Sequence, residues 1–256
     1  MSQFLESKLV CFAIILQLFI SLPNYSQAQS NYQYLGWAAV FGSVKISKAF
    51  GLHLESQIRS NDKWKEVSTL IFRTGLIYNI NSNQNAIIGY ALIGHHRTVD
   101  SVSGWGPEHR IWEQYILNLA ANPGYHFVTI QNRLRLEQRF ISTSVANNGK
   151  LETKGYNFSQ RLRYFVRAII PILPSQEKRF QNGLFISLQD EIFVNLSDAS
   201  GTNGKFFDQN RAYVSLGYRF SPKFDTEVGY MYQFIAGKGS SKTNNSILQL
   251  AVYFRL

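Results

Sequence analysis

IQNRLRLEQRF, residues 130–140, places Arg133, Arg135, Glu137 and Arg139 at alternate positions, with Leu134, Leu136 and Phe140 between them. Successive side chains of a β-strand point to opposite faces, so this stretch is a strand with a charged face and an apolar one. Helical spacing would scatter both sets. Two environments satisfy such a strand. One is a soluble sheet with its apolar face in a core, and the other is a membrane barrel with its apolar face in lipid and its charges in a wet interior.

The chain start bears on that choice. Residues 1–30, MSQFLESKLVCFAIILQLFISLPNYSQAQS, carry Lys8 in a short polar lead, an apolar run from Leu9 to Leu22, and Ser26-Gln27-Ala28 as a small-x-small pattern. That order predicts a secretory signal peptide over 1–28, cleaved after Ala28. A membrane anchor is the alternative, but Gln17, Ser21 and Pro23 interrupt a short run. The single cysteine, Cys11, lies within the leader, too early for a lipoprotein cleavage site, so the exported chain is expected to hold no disulfide. Residues 29–256 contain no Pro/Ser-rich linker and are expected to form one domain. Loss of Lys8 and Glu6 with the leader leaves the net charge at +10. Such a balance suits anionic solutes or surfaces, and by itself ranks none of them.

Alternation continues to the end of the chain. It marks residues 34–47, 52–60, 67–80, 86–97, 108–119, 125–141, 157–170, 184–195, 207–220, 226–236 and 246–256, eleven segments in all. Their lengths suit tilted membrane-crossing strands, which need about nine to eleven residues, better than soluble strands of about five or six. Short turns (SKAFG, NSNQN, AANPG, SPKF) alternate with longer polar stretches (TVDSVSGWGP, STSVANNGKLETKGY, LSDASGTNGKF, GKGSSKTNN), the arrangement of outer-membrane barrels. PILPSQEKRFQN breaks this pattern by being long where a short turn is due. Because closed single-chain bacterial barrels have even strand numbers, the prediction is twelve strands, with ten as the alternative. The final segment, ILQLAVYFRL, sets Leu248, Leu250, Val252, Phe254 and Leu256 on one face, similar to the terminal strand by which barrel-assembly machinery recognises its substrates. Tyr78, Tyr125, Tyr218, Phe220, Tyr232 and Phe234 suit interfacial aromatic girdles. A secreted sandwich or lipocalin-like barrel accounts for the alternation, but less well for the turn asymmetry and the last strand.

If the apolar faces meet lipid, the opposite faces line a lumen. NFSQRLRYFVRAII, residues 157–170, adds Arg161, Arg163 and Arg167 to the wall begun by its hairpin partner. Glu137, Glu191 and Glu227 are the candidate counter-charges, and Gln209, Arg211, Tyr213 and Arg219 come from a later strand. Guanidinium groups stay charged and offer forked donors, so an arginine wall would attract and pass anions. Alternatively, arginines and glutamates lock together and close the interior. Some residues depart from the pattern: Trp112 shares a face with Arg110 and Gln114, while Glu113 and Asp190 fall on apolar faces. These predict strand-end positions or a bulge.

Other chemistry finds little support. His95, His96, Glu108 and His109 flank one loop, but neighbouring strand residues point apart, so a metal site is not expected. His53 and His126 have no partner motif such as G-x-S-x-G, and GKGSSKTNN lacks phosphate-loop spacing. EHRIWEQ, NRLRLEQRF, RLRYFVRAIIPI, LQDEIFVNL, FDQNRAYVSLGYRFSP and EVGYMYQF together resemble the bacterial family catalogued as domain of unknown function 2490. The resemblance runs from about Trp37 to the end and implies an outer-membrane β-barrel of Gram-negative bacteria with no assigned activity. It implies that Arg133, Arg135, Glu137, Arg139, Glu191, Asn195, Gln209, Asn210 and Arg211 occupy family motif positions.

The sequence therefore predicts an all-β, transmembrane, antiparallel up-and-down barrel, exported across the inner membrane to the outer membrane and monomeric. It is expected to hold no cofactor, bind no nucleic acid and catalyse no reaction. Its expected partners are outer-membrane lipid, the barrel-assembly machinery and a small anionic solute. A structural or surface-interaction barrel with a closed lumen is the alternative, and an outer-membrane hydrolase the third reading.

Overall fold

The computed structural model describes residues 30–121, 128–173, 180–197 and 202–256. The proposed leader, Tyr125 and His126 lie outside these residues. The described chain is all β apart from a 3-10 turn at Asp62–Trp64. The strands are β1 (Ser30–Lys45), β2 (Phe50–Ser60), β3 (Val67–Asn79), β4 (Gln84–Val99), β5 (Val102–Ala121), β6 (Val128–Asn147), β7 (Lys150–Pro171), β8 (Gly183–Asn195), β9 (Phe207–Ser221), β10 (Phe224–Ala236) and β11 (Lys242–Arg255). Among the described residues no helix is long and apolar enough to cross a membrane, which leaves barrel strands unaddressed.

The eleven strands form one closed barrel in which each pairs with its sequence neighbours and β1 pairs with β11. This corrects the expectation of twelve or ten. The even-number rule assumes that every neighbouring pair is antiparallel. With an odd number, the first and last strands necessarily run the same way, and β1 and β11 do pair in parallel from Ser30↔Lys242 to Ser43↔Arg255. Backbone bonds at the end of the chain fasten the seam: Leu256 N–H donates to the Ser43 carbonyl (2.8 Å) and Lys45 N–H to the Leu256 carbonyl (2.7 Å). Closure leaves no long unpaired edge to template aggregation. Where β1 runs past the end of β2, the 3-10 segment folds over it, with Asp62 accepting from Tyr34 N–H (2.9 Å) and Ser60 Oγ from Gly36 N–H (2.8 Å).

Two stretches expected to be loops are instead strand. TVDSVSGWGP belongs to a hairpin turning at Asp100-Ser101, and STSVANNGKLETKGY to one turning at Asn148-Gly149. Alternation weakens there because small polar residues replace the apolar set, but the backbone ladder continues regardless of side-chain type. β6 and β7 thereby reach 20 and 22 residues.

The barrel is apolar outside and charged inside. Leu134, Tyr164, Leu216, Val228, Leu248 and Leu250 are each more than 40% exposed, while Arg135, Glu137, Arg163 and Glu191 are buried. The departures on β5 need no bulge, since β4–β5 and β5–β6 pair without a register shift. Trp112 is an interior residue, fully buried against Ile87 and Ala91. Glu113 and Asp190 do face outward, where Gln138 donates to the first (3.1 Å) and Asn210 to the second (3.0 Å).

Large interior rings need bare backbone opposite them. A Cβ on Gly89 would fall 2.3 Å from the Thr74 carbonyl oxygen and 2.5 Å from the Trp112 ring, and one on Gly217 would fall 2.2 Å from the Phe185 ring. Gly89→Ala is therefore expected to destabilise the barrel by about 1–3 kcal/mol through overpacking. The drop should appear as a lower circular-dichroism unfolding midpoint, whereas Gly155→Ala, with one contact at 3.6 Å, should leave that midpoint nearly unchanged.

Candidate functional site

A cavity of about 930 Å³ occupies the barrel interior, and its walls are contributed by strands all around the sheet. Ser43, Asn118 and Arg255 line it near the short-turn end, and Asn203, Gly237 and Lys238 near the other. Twelve arginines and four carboxylates line it among the described residues, because several glutamates sit behind the guanidinium groups they brace. Period-two alternation produces this wall: on each strand every second side chain enters the interior, and two-residue steps place successive charges about 7 Å apart.

Glu137 is fully buried and gathers the β5–β7 wall. Arg161 donates to its Oε2 from Nη2 (2.7 Å), Arg163 to its Oε1 from Nη1 (2.6 Å), and Arg110 to Oε2 at 3.4 Å. Arg135 stands 4.0 Å from it and donates from Nε to Gln114 Oε1 (2.7 Å). Arg163 also reaches Glu191 on β8 (2.7 Å), which accepts from Arg133 on β6 (2.7 Å) and has Arg211 at 3.9 Å. Nearer one end, Glu108 binds Arg110 and Arg139, each at 2.7 Å, and His95 at 3.0 Å. On the opposite wall Glu227 accepts from Arg167 (2.5 Å), Tyr253 (2.8 Å), Tyr213 (3.2 Å) and Ser215 (3.2 Å). Arg219 forks onto Asp225 at 2.8 and 2.9 Å, and Gln209 accepts from Gln233 (2.6 Å).

Every one of the twelve residues read from the polar faces thus lies on the inner side of the barrel, joined into a few connected clusters. Several further interior groups escape that reading. HLESQIR on β2 carries His53, Glu55, Gln57 and Arg59 inward, and Arg73 on β3 pairs with Glu55. The same alternation could have revealed the β2 set. Asp208 and Asp225 lie at strand beginnings, where a short polar residue looks like part of a turn, and their pairing with Arg161 (2.9 Å) and Arg219 depends on tertiary placement. The aromatic partners are likewise hidden in the sequence. Arg133 stacks on Phe165 (3.9 Å to the ring centre), Arg163 and Arg211 on Phe193 (4.5 and 4.7 Å), and Arg135 on Trp112 (4.7 Å). Such contacts hold a guanidinium by its flat face and leave its N–H edge for an acceptor.

The remaining histidines do not converge. His95 faces inward onto Glu108, while His109 lies on the outer face between Tyr90 (2.5 Å) and Tyr156 (3.3 Å). His96 packs edge-on against Trp105, and His53 against Trp112. Among the described residues no group of three His, Cys, Asp or Glu side chains could hold a metal ion, and no serine hydroxyl bonds to a histidine.

Glu137→Gln removes the charge that three arginines share, and a broken buried pair costs roughly 3–5 kcal/mol. Its unfolding midpoint in denaturant should fall far more than that of Glu113→Gln, whose partner among the described residues is an outward-facing amide. Comparison with curated proteins finds no match to this chain. The family described as "Protein of unknown function (DUF2490)" matches residues 35–244, from the first buried residue of β1 into β11. The chain belongs to that family.

Proposed function

We propose that the protein is a monomeric outer-membrane β-barrel, exported with a cleaved signal peptide over residues 1–28, whose arginine-rich lumen accepts and passes small anions. The observation that carries this reading is the charge of the cavity wall, twelve lining arginines against seven carboxylates on it or directly behind it (Glu55, Glu191, Asp208 and Asp225, with Glu108, Glu137 and Glu227), and lining residues drawn from both ends of the barrel. In a narrow space with low-dielectric walls, such an excess lowers the energy of an anion and raises that of a cation.

The membrane part rests on the exterior. A soluble monomer rarely exposes a large continuous apolar patch, yet here Leu54, Phe72, Ile88, Ile111, Leu134 and Leu216, from six different strands, all stand outward and exposed. Tyr78, Tyr218, Phe220 and Tyr232 are exposed as well, as interfacial girdles require. The outward set of β11, including Leu248 and Leu250, presents the apolar face that barrel-assembly machinery would engage. No cofactor, nucleic acid or catalytic step enters this reading.

A second reading is a structural barrel with a closed lumen, favoured by Arg163 spanning Glu137 and Glu191 and by Arg167 reaching across to Glu227. Planar-bilayer recordings of the purified barrel separate the two. Under a potassium chloride gradient the reversal potential should show anion selectivity, and selectivity should decline in the Arg133→Ala, Arg163→Ala double variant. Cation selectivity would eliminate the anion pathway, and absence of channel events would eliminate it and leave the closed barrel.

A further inference from the structure

The interior arginines are of two kinds. Arg139, Arg163, Arg167 and Arg219 are each fastened to a carboxylate by short charge-assisted bonds. Arg59 makes no ion pair with a carboxylate among the described residues. Its Nε and Nη2 donate to the amide oxygen of Gln57 (3.0 and 2.6 Å), and its guanidinium lies 3.8 Å from the centre of the Trp37 ring. Arg211, from the far side of the sheet order, lies over the same indole at 5.1 Å. Gln57 donates in turn to Glu55 (2.6 Å), which pairs with Arg73. Arg59, Gln57, Glu55 and Arg73 therefore form one continuous chain of polar contacts across β2 and β3, and it ends beside the Trp37 shelf.

Two buried N–H groups at this chain, Trp37 Nε1 and Arg73 Nε, have no acceptor among the described residues. A buried donor left without an acceptor costs about 1–3 kcal/mol, and with Arg59 unpaired to any carboxylate among the described residues this stretch of wall is rich in donors and poor in acceptors. Both are donors, and what they lack is oxygen. Trp37, Arg59, Arg73 and Arg211 line the cavity, so a solute within it meets this part of the wall. A planar guanidinium presents a pair of N–H groups that matches two oxygens of one carboxylate or phosphate, a fit that a spherical halide cannot reproduce.

We infer that Trp37, Arg59, Arg73 and Arg211 form a binding site for an oxyanion, a carboxylate or phosphate group, within the lumen. The site deepens the anion-accepting reading and rests on it, but it makes a separate demand. Binding must depend on Arg59, which makes no ion pair with a carboxylate among the described residues, and on the indole it stacks on, with Arg73 and Arg211 beside them, whereas Arg139, Arg163, Arg167 and Arg219 serve the wall.

The test uses the full barrel in detergent and follows its unfolding midpoint against inorganic phosphate, acetate and chloride at matched ionic strength. Phosphate or acetate should raise the midpoint saturably and chloride should not, and the one that saturates at lower concentration identifies the headgroup. Trp37→Phe keeps an aromatic face under Arg59 but removes the N–H together with the five-membered half of the indole, and Arg59→Gln removes a charge that no ion-paired carboxylate among the described residues balances. Each should raise the half-saturating concentration by about tenfold, the loss of one charge-assisted or buried hydrogen bond. An oxyanion effect that does not saturate, equals that of chloride, or is the same in wild type and both variants would overturn the site and leave water as the acceptor. Saturable, variant-sensitive binding by a barrel that shows no channel events would retain the site while removing the passage reading.

Discussion

Burying guanidinium groups inside a closed sheet is the constraint on which this structure turns. An unpaired buried charge costs several kcal/mol, and the interior holds many. They are tolerated because each is met by one of three supports: a carboxylate, an amide or carbonyl oxygen, or the face of an aromatic ring. Glu137, Glu191 and Glu227 each serve more than one donor, so the loss of one is felt on several strands. Arg163 links β6 and β8 through β7, and Arg167 links β7 to β10 across the lumen. The contacts that shield the charges also cross-link the barrel from within.

Closure and charge depend on one another. A barrel exposes its outer face everywhere, and here that face is largely apolar, so polar groups have little room except inside. The odd strand number follows from where the ladder meets. β1 and β11 run in parallel and are still paired over fourteen positions, with the chain end tied back to Ser43 and Lys45. Parallel pairing is slightly weaker per residue than antiparallel. The seam is supported from inside by Leu35, Trp37 and Ile247, which pack with Tyr213 and Met231 into one apolar cluster. Trp37 thus has two roles, packing the junction with its ring and carrying the Arg59 guanidinium on its face.

Much of the fold is legible from the chain. Eleven segments alternate, eleven strands exist, and the inward or outward side of residues such as Arg135 and Leu134 follows from parity alone. The expected strand number is too high because a rule about antiparallel barrels does not hold for a closure whose type a sequence does not display. Two hairpins run longer than expected because Thr, Ser and Gly weaken the hydrophobic alternation without interrupting backbone pairing. At the site, Arg133, Arg161 and Glu191 can be assigned to a face, but their partners cannot. Arg133 and Glu191 are 58 positions apart in the chain, and Arg167 meets Tyr253 across 86.

By itself, then, the sequence determined which residues share a face, because two-residue periodicity is a local property of extended backbone. It also determined that one face is apolar and that the other carries an excess of positive charge. Only the tertiary structure decided how many strands close the ring, which carboxylate braces which arginine, and which donors remain without an acceptor. Those outcomes depend on strand register and on the distance across the lumen, and both are set by all eleven strands together.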